Sequence, residues 1–205
     1  MTHFDERAKD WDSDPKKVER ARVVADAIRA ALPLSIDMTA LEYGCGTGLL
    51  SFALQSDLGQ ITLADTSQGM LDVLGEKIAA AGATNMHPVK LDLASDPLPG
   101  ERFHITYSLL VMHHVENVKD MLTKFHALLE ADGFLVVADL DKEDGTFHAA
   151  STPYFHDGFA RDVFQQMVEE TGFANVKFST GYVIHKERDD GGQDYPVFLM
   201  TAQKK

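Results

Sequence analysis

Three glycines alternate in the segment Leu41-Glu42-Tyr43-Gly44-Cys45-Gly46-Thr47-Gly48, between an apolar run and a helical pattern. Chemistry there runs through the main chain. Glycine permits a sharp turn and lets a ligand approach the backbone, and a helix opening after it offers free N–H groups. The dinucleotide fingerprint needs glycines at the first, third and sixth places. Counting from Gly44, the sixth place is Leu49, so that pattern fails. A turn that binds nothing is the plainer alternative, but three spaced glycines at such a junction are conformationally costly without a use. Asp65 ends the next apolar run. A carboxylate at that place accepts from both hydroxyls of a ribose; otherwise it caps the helix that Thr66-Ser67 begins. Asp92, between Leu91 and Leu93, either accepts from an adenine amino group with the leucines bracketing the ring or simply opens a loop.

The histidines form a second group. His113 and His114 follow an apolar segment, where one imidazole could take a proton from a hydroxyl or amine, or both could only order the loop. On an extended segment neighbouring side chains point to opposite sides, so one at most reaches a reacting centre, and His113 lies nearer the strand end. His148 and His156 flank Tyr154 and Phe155. A metal set of His148, His156 and Asp139 lacks paired-ligand spacing, and no metal is expected. Cys45 reads as a spacer between glycines rather than a nucleophile.

These residues need elements to carry them. Asp14-Pro15 opens a helix with Val18, Ala21, Arg22, Ala25, Ile28 and Leu32 at helical spacing. Strands are expected at 40–43, 61–64, 87–91, 105–111 and 134–138, alternating with helices at 49–58, from 66 or 67 to Gly82, and from 118 towards Gly133. Strands separated by helices make a parallel sheet covered on both faces, with ligands at the carboxyl ends of the strands. Segments 176–184 and 195–202 are joined by too few residues for a crossover helix, so they pair antiparallel.

The 205 residues, 44% hydrophobic and 25% charged, suit one globular domain. The net charge of −13 disfavours phosphate backbones and anionic lipid, so neither nucleic acid nor a membrane is expected as partner. A single cysteine and a charged first dozen residues point to the cytoplasm. No oligomeric state follows from these features.

Glu42-x-Gly44-x-Gly46-x-Gly48, then Asp65-x-Ser67-x-Gly69-Met70-Leu71, then Asp92, resembles the class I S-adenosylmethionine-dependent methyltransferases. So do Leu110-Val111-Met112-His113-His114-Val115 and the stretch Leu128–Leu135. The resemblance implies a Rossmann-like α/β three-layer sandwich, its seven-stranded, mostly parallel sheet ending in an antiparallel hairpin strand. It also implies S-adenosylmethionine as cofactor, S-adenosylhomocysteine as product, and these positions: the glycines under the methionine part of the cofactor, Glu42 near its amino group, Leu109 flanking it, Asp65 on the ribose, Thr66 and Met70 near the adenine, Asp92 with Leu93 on the adenine edge. Phe147-His148 with His156-x-Gly158-Phe159 is similar to a stretch in some small methyltransferases and would line a substrate pocket with Tyr154. Residues 1–205 are expected to form one domain, with 1–33, including Trp11, as a helical lid and 142–172 as a substrate-side loop and helix. A small-molecule methyl acceptor fits the acidic chain. Binding of the cofactor without turnover, and a nicotinamide-dependent oxidoreductase, stand as alternatives. Two positions depart from the family pattern: His104 where an aspartate is common, and Leu129–Gly133 without Lys-Pro-Gly-Gly.

Overall fold

The computed structural model describes residues 3–149, 152–187 and 191–205; residues 1–2 of the expected lid, 150–151 of the substrate-side loop and 188–190 of the hairpin connection lie outside the described residues. The chain begins with α1 (His3–Arg7) and a 3₁₀ segment (Ala8–Ser13), then α2 (Pro15–Ala31). The Asp14 side chain accepts from Lys16 N–H, and Pro15, lacking an N–H, takes the first helical position. The buried face of α2 is Ala21, Val24, Ala25 and Ile28; Val18, expected on it, is 43% exposed.

Alternation follows: β1 (Thr39–Tyr43), α3 (Leu49–Leu54), β2 (Gln60–Asp65), α4 (Gln68–Ala81), β3 (Met86–Lys90), β4 (Phe103–Leu109), α5 (Val118–Leu128), β5 (Leu129–Leu140), α6 (Arg161–Glu170), β6 (Phe173–Lys186) and β7 (Gln193–Lys204). The sheet order is β3-β2-β1-β4-β5-β7-β6. β7 runs antiparallel to both neighbours, and the pairings among β1 to β5 are parallel. The chain leaves β1 towards β2 on one side and returns to β4 on the other, so the crevice of the fold opens at the carboxyl ends of β1 and β4.

β5 shows how the sheet divides two cores. Val136 and Ala138 pack into the layer of α2, α3 and α4, whereas Leu135 and Val137 pack into that of α5 and α6. Side chains alternate along a strand, and a strand buried on both faces must be apolar at every position. No helix among the described residues is long and apolar enough to cross a membrane.

Three local expectations change. α3 ends at Leu54, not at residue 58. The last α5 residue is Leu128, and the segment expected to finish that helix is already β5, turning at Asp132 in the left-handed region (φ 60°) before Gly133. β4 stops at Leu109. Leu110 adopts φ 57° while its N–H donates to Ala138 O, and Met112–His114 form a 3₁₀ turn. His113 and His114 are therefore not on extended chain, and their rings lie 4.2 Å apart instead of on opposite sides. His104, the first departure from the family pattern, accepts from Thr39 N–H at 3.1 Å and joins the starts of β1 and β4.

The hairpin strand β7 joins this core through Phe198, which is fully buried between Phe164 and Phe178 at ring separations of 5.4 Å. Truncating such a ring removes transfer energy and leaves a cavity. Phe198→Ala should cost about 3–5 kcal/mol in urea unfolding; a loss below about 1 kcal/mol would show that β7 is not integral to the core.

Candidate functional site

The glycine loop is registered by β2. Gly44 and Cys45 donate their N–H groups to Ala64 O, and Gly46 N–H donates to an Asp65 oxygen at 2.7 Å. The other Asp65 oxygen accepts from Ser67 N–H at 2.8 Å. Asp65 thus ties the loop after β1 to the loop after β2, and the helix cap falls to Ser67, whose hydroxyl accepts from Met70 N–H. Burial raises the Asp65 pKa, and these N–H donors work against the rise. A carboxylate has about four acceptor sites, so acceptor capacity remains for a ribose hydroxyl.

Gly44, Gly46 and Gly48 all have positive φ, at 70°, 53° and 78°. They differ in what lies beside them. A Cβ on Gly44 would stand 2.4 Å from Val111 and one on Gly48 2.6 Å from Leu74, so those glycines are demanded by packing. At Gly46 a Cβ would meet, among the described residues, only Met70 Sδ at 3.9 Å and Trp11 Nε1 at 4.0 Å. Gly46 thus presents bare main chain towards the Trp11 side of the edge, the kind of surface on which a ligand can lie.

Glu42 is 3% exposed. It accepts from Ser51 Oγ, which lies 2.6 Å from the Tyr107 hydroxyl. Burial pushes the Glu42 pKa up to about 8; Asp65 adds to the rise and Lys77 opposes it. The Tyr107 hydroxyl and the Cys45 thiol are likewise raised by burial.

The N-terminal segment crosses this edge and is held by two aspartates. Asp5 accepts from Ser67 Oγ and Gly69 N–H, and Asp12 from Thr47 Oγ1 and Lys77 Nζ, the latter also donating to Thr47 O. Lys17 Nζ stands 3.6 Å from the Trp11 ring centre, a cation–π contact. The Phe4 ring bridges Trp11 and His114, at 6.1 and 5.5 Å.

The loops after β4 and β5 meet at a buried carboxylate. Asp139, fully buried within β5, accepts from Met112 N–H and Leu140 N–H, both at 2.7 Å, and pairs with His113 Nδ1 at 2.6 Å. His113 is 1% exposed, and its carbonyl accepts from Phe155 and His156 N–H. Loop ordering, one of the two roles expected of His113, is the role this geometry performs. The rings of His113, His114 and His148 lie within 5.2 Å of one another, and His148 stacks on Tyr154 at 4.6 Å. Burial, helped by His113 and His114, lowers the His148 pKa to about 4. His156 is not in this cluster; its Nε2 bonds to Val115 O at 2.9 Å.

Other expected positions divide. Thr66 is exposed and Met70 buried beside the glycine loop. Leu109 is half-buried against the α2–α4 core. The Asp92 carboxylate accepts from Ala94 N–H and Ser95 Oγ of its own loop, which is the loop-opening role. Leu93 is fully buried in the core with Tyr43 and Phe125, so its side chain does not bracket a ring, and only its main chain is left for an adenine edge. Sequence reasoning missed Asp5, Asp12, Ser51, Lys77 and Tyr107, and missed Asp139 as the partner of His113. The one available signal was Asp139 itself, an acidic residue ending an apolar run.

A parallel α/β sheet with an antiparallel last strand, left-handed glycines at its crevice and an acidic residue closing the second strand define a Rossmann-like methyltransferase fold. Residues 40–133, a little under half of the chain, match the family described as Methyltransferase domain. An uncharacterised methyltransferase of Schizosaccharomyces pombe is 30% identical over 183 residues, 82% of this chain and 63% of that protein. The chain therefore spans less than two thirds of that relative. Among solved structures, a chain from the complex of the Haloferax volcanii Trm112 methyltransferase activator with a methyltransferase superposes with a TM-score of 0.77 at 15% identity, covering 100% of this chain and 98% of that one. Haemonchus contortus phosphoethanolamine N-methyltransferase 2, solved with S-adenosyl-L-methionine, gives 0.72 at 12%, covering 100% of this chain and 60% of that one. At these identities the two structures speak for the fold.

Glu42 makes stability depend on pH. The folded chain holds this proton to about pH 8, whereas the unfolded carboxyl releases it near 4.5. Between those values the unfolded state binds fewer protons, so stability is full below about pH 4.5 and falls as pH rises towards 8. Glu42→Gln should flatten that fall in urea unfolding at pH 5, 6.5 and 8; an unchanged slope would exclude Glu42 as its source.

Proposed function

We propose that the chain binds S-adenosylmethionine at the carboxyl edge of β1 and β2 and transfers its methyl group to a small-molecule acceptor at the ends of β4 and β5. The observation that carries this reading is Asp65, seated between the N–H groups of Gly46 and Ser67 with acceptor capacity remaining. Glu42 keeps its proton at neutral pH and adds no charge, whereas Asp65, Asp5 and Asp12 make the edge acidic. That favours a cationic sulfonium and disfavours the pyrophosphate of a nicotinamide dinucleotide, which weighs against the oxidoreductase alternative.

When bound, the cofactor supplies an already activated methyl group. The protein's part is to hold the reacting atoms in line, which can be worth about 7–11 kcal/mol without a catalytic side chain. Gly46 offers main chain to the cofactor, Asp65 the ribose acceptor, and Trp11 covers the loop as part of a lid formed by residues 3–13; the expected lid of residues 1–33 shortens to this segment because α2 packs into the core. On the acceptor side His114, His148 and Tyr154, from the loops after β4 and β5, supply aromatic walls with polar edges. The acidic chain argues for a small acceptor rather than nucleic acid, and the buried lone Cys45 suits a reducing cytoplasm.

Asp65→Ala removes charge-assisted bonds worth about 1.5–3 kcal/mol each, so S-adenosylhomocysteine affinity should fall about 10²–10⁴-fold by calorimetry. Asp65→Asn should also weaken it, because the amide can accept from only one of the two N–H groups that Asp65 serves. Wild-type affinity in a folded Asp65→Ala protein would reduce Asp65 to a structural tie. For the lid, Trp11 emission should shift on adding S-adenosylhomocysteine, and removing residues 1–14 should weaken binding while circular dichroism keeps the core signal. Unchanged emission together with unchanged affinity of the shortened chain would remove the lid.

A further inference from the structure

His113, His114 and His148 each offer one ring nitrogen, and the three nitrogens lie within 4.8 Å of one another. Their tautomers follow from their other partners. Asp139 accepts from His113 Nδ1 and the Pro153 carbonyl accepts from His114 Nδ1 at 2.9 Å, so in the neutral rings both lone pairs sit on Nε2. His113 Nε2 and His148 Nε2 are buried and find no hydrogen-bond partner among the described residues. A buried polar atom left unmatched is costly. A cation beside these two nitrogens removes that cost.

We propose that His113, His114 and His148 bind a borderline first-row divalent metal ion, with zinc as the reference ion. Imidazole nitrogens suit such ions, and three protein ligands leave a fourth position open. Tetrahedral zinc at ~2.0–2.1 Å from nitrogen sets its ligand atoms ~3.4 Å apart, so the widest pair must close by up to about 1.4 Å. His148 lies outside the helices and strands, in the segment after β5. Asp139 behind His113 is the carboxylate partner that orients a ligating imidazole and raises its basicity.

Two aromatic rings, Phe4 and then Trp11, lie in succession between His114 and Gly46. On the methyl-transfer reading above, on which this use of the ion rests, its open position takes an acceptor hydroxyl or thiol. The set differs from the His148, His156 and Asp139 combination considered from the sequence: His156 is bonded to Val115 O, and Asp139 acts through His113.

The test is zinc titration of the full chain, free of any affinity tag and stripped by chelator, against a chromophoric competitor, with cobalt(II) absorption reporting coordination geometry. One zinc per chain is expected, with tetrahedral cobalt bands. His148→Ala should abolish stoichiometric uptake, and Asp139→Asn should weaken it 10–100-fold. His87→Ala, an exposed histidine outside the cluster, should leave it unchanged. His148→Ala alters one loop side chain, so circular dichroism should match the parent and the assay does not depend on the buried Asp139 variant folding. No zinc uptake, or uptake that persists in His148→Ala, overturns the site. S-adenosylhomocysteine affinity measured on the same samples keeps the two failures apart: zinc bound without S-adenosylhomocysteine sinks the methyl-transfer reading, and the reverse sinks the metal site.

Discussion

Asp65 receives an N–H from the loop after β1 and another from the loop after β2, and the functional edge is registered to that double contact. Without it the left-handed glycine loop would have no fixed height above the sheet, and α4, capped by the next residue but one, would have no fixed start. A partly desolvated carboxylate is costly, and its raised pKa records the cost. The donors that offset it are main-chain groups of the very segments that must be positioned. Stability and site geometry therefore come from the same bonds.

The same device recurs along the edge. Asp139 gathers Met112, His113 and Leu140 at the end of β5. Asp5 and Asp12 dock the N-terminal segment onto the start of α4 and onto Thr47 with Lys77. The strongly negative net charge of the chain is thus partly spent in placed carboxylates rather than spread as a solvated surface. Each closes a loop at the end where the parallel strands leave their carboxyl groups.

The alternation of strands and helices was legible because its signals are local: Asp14 before Pro15, Ser67 three residues before Met70, Gly82 at a left-handed C-cap. The glycine loop and Asp65 were legible because their spacing is fixed by one strand–helix–strand unit. The pairing of His113 with Asp139 was not, since it joins residues 26 positions apart through two adjacent strand ends. Nor were the bonds from Asp5 and Asp12, whose partners lie 35 to 65 positions away. The 3₁₀ turn at Met112–His114 was hidden by the apolar run before it, which reads as strand until Leu110 reverses the chain. Leu93 misled for a related reason: a leucine beside a loop aspartate looks available to a ligand, yet the α5 core takes it.

The central claim is that this acidic, glycine-bearing edge selects a sulfonium nucleoside over a dinucleotide. Calorimetric titration of the full chain with S-adenosylmethionine, S-adenosylhomocysteine, NADH and NADPH tests it most directly. The account predicts one site per chain for the first two and no measurable heat from the nicotinamide cofactors. Saturable NADH binding with no response to S-adenosylhomocysteine would contradict it.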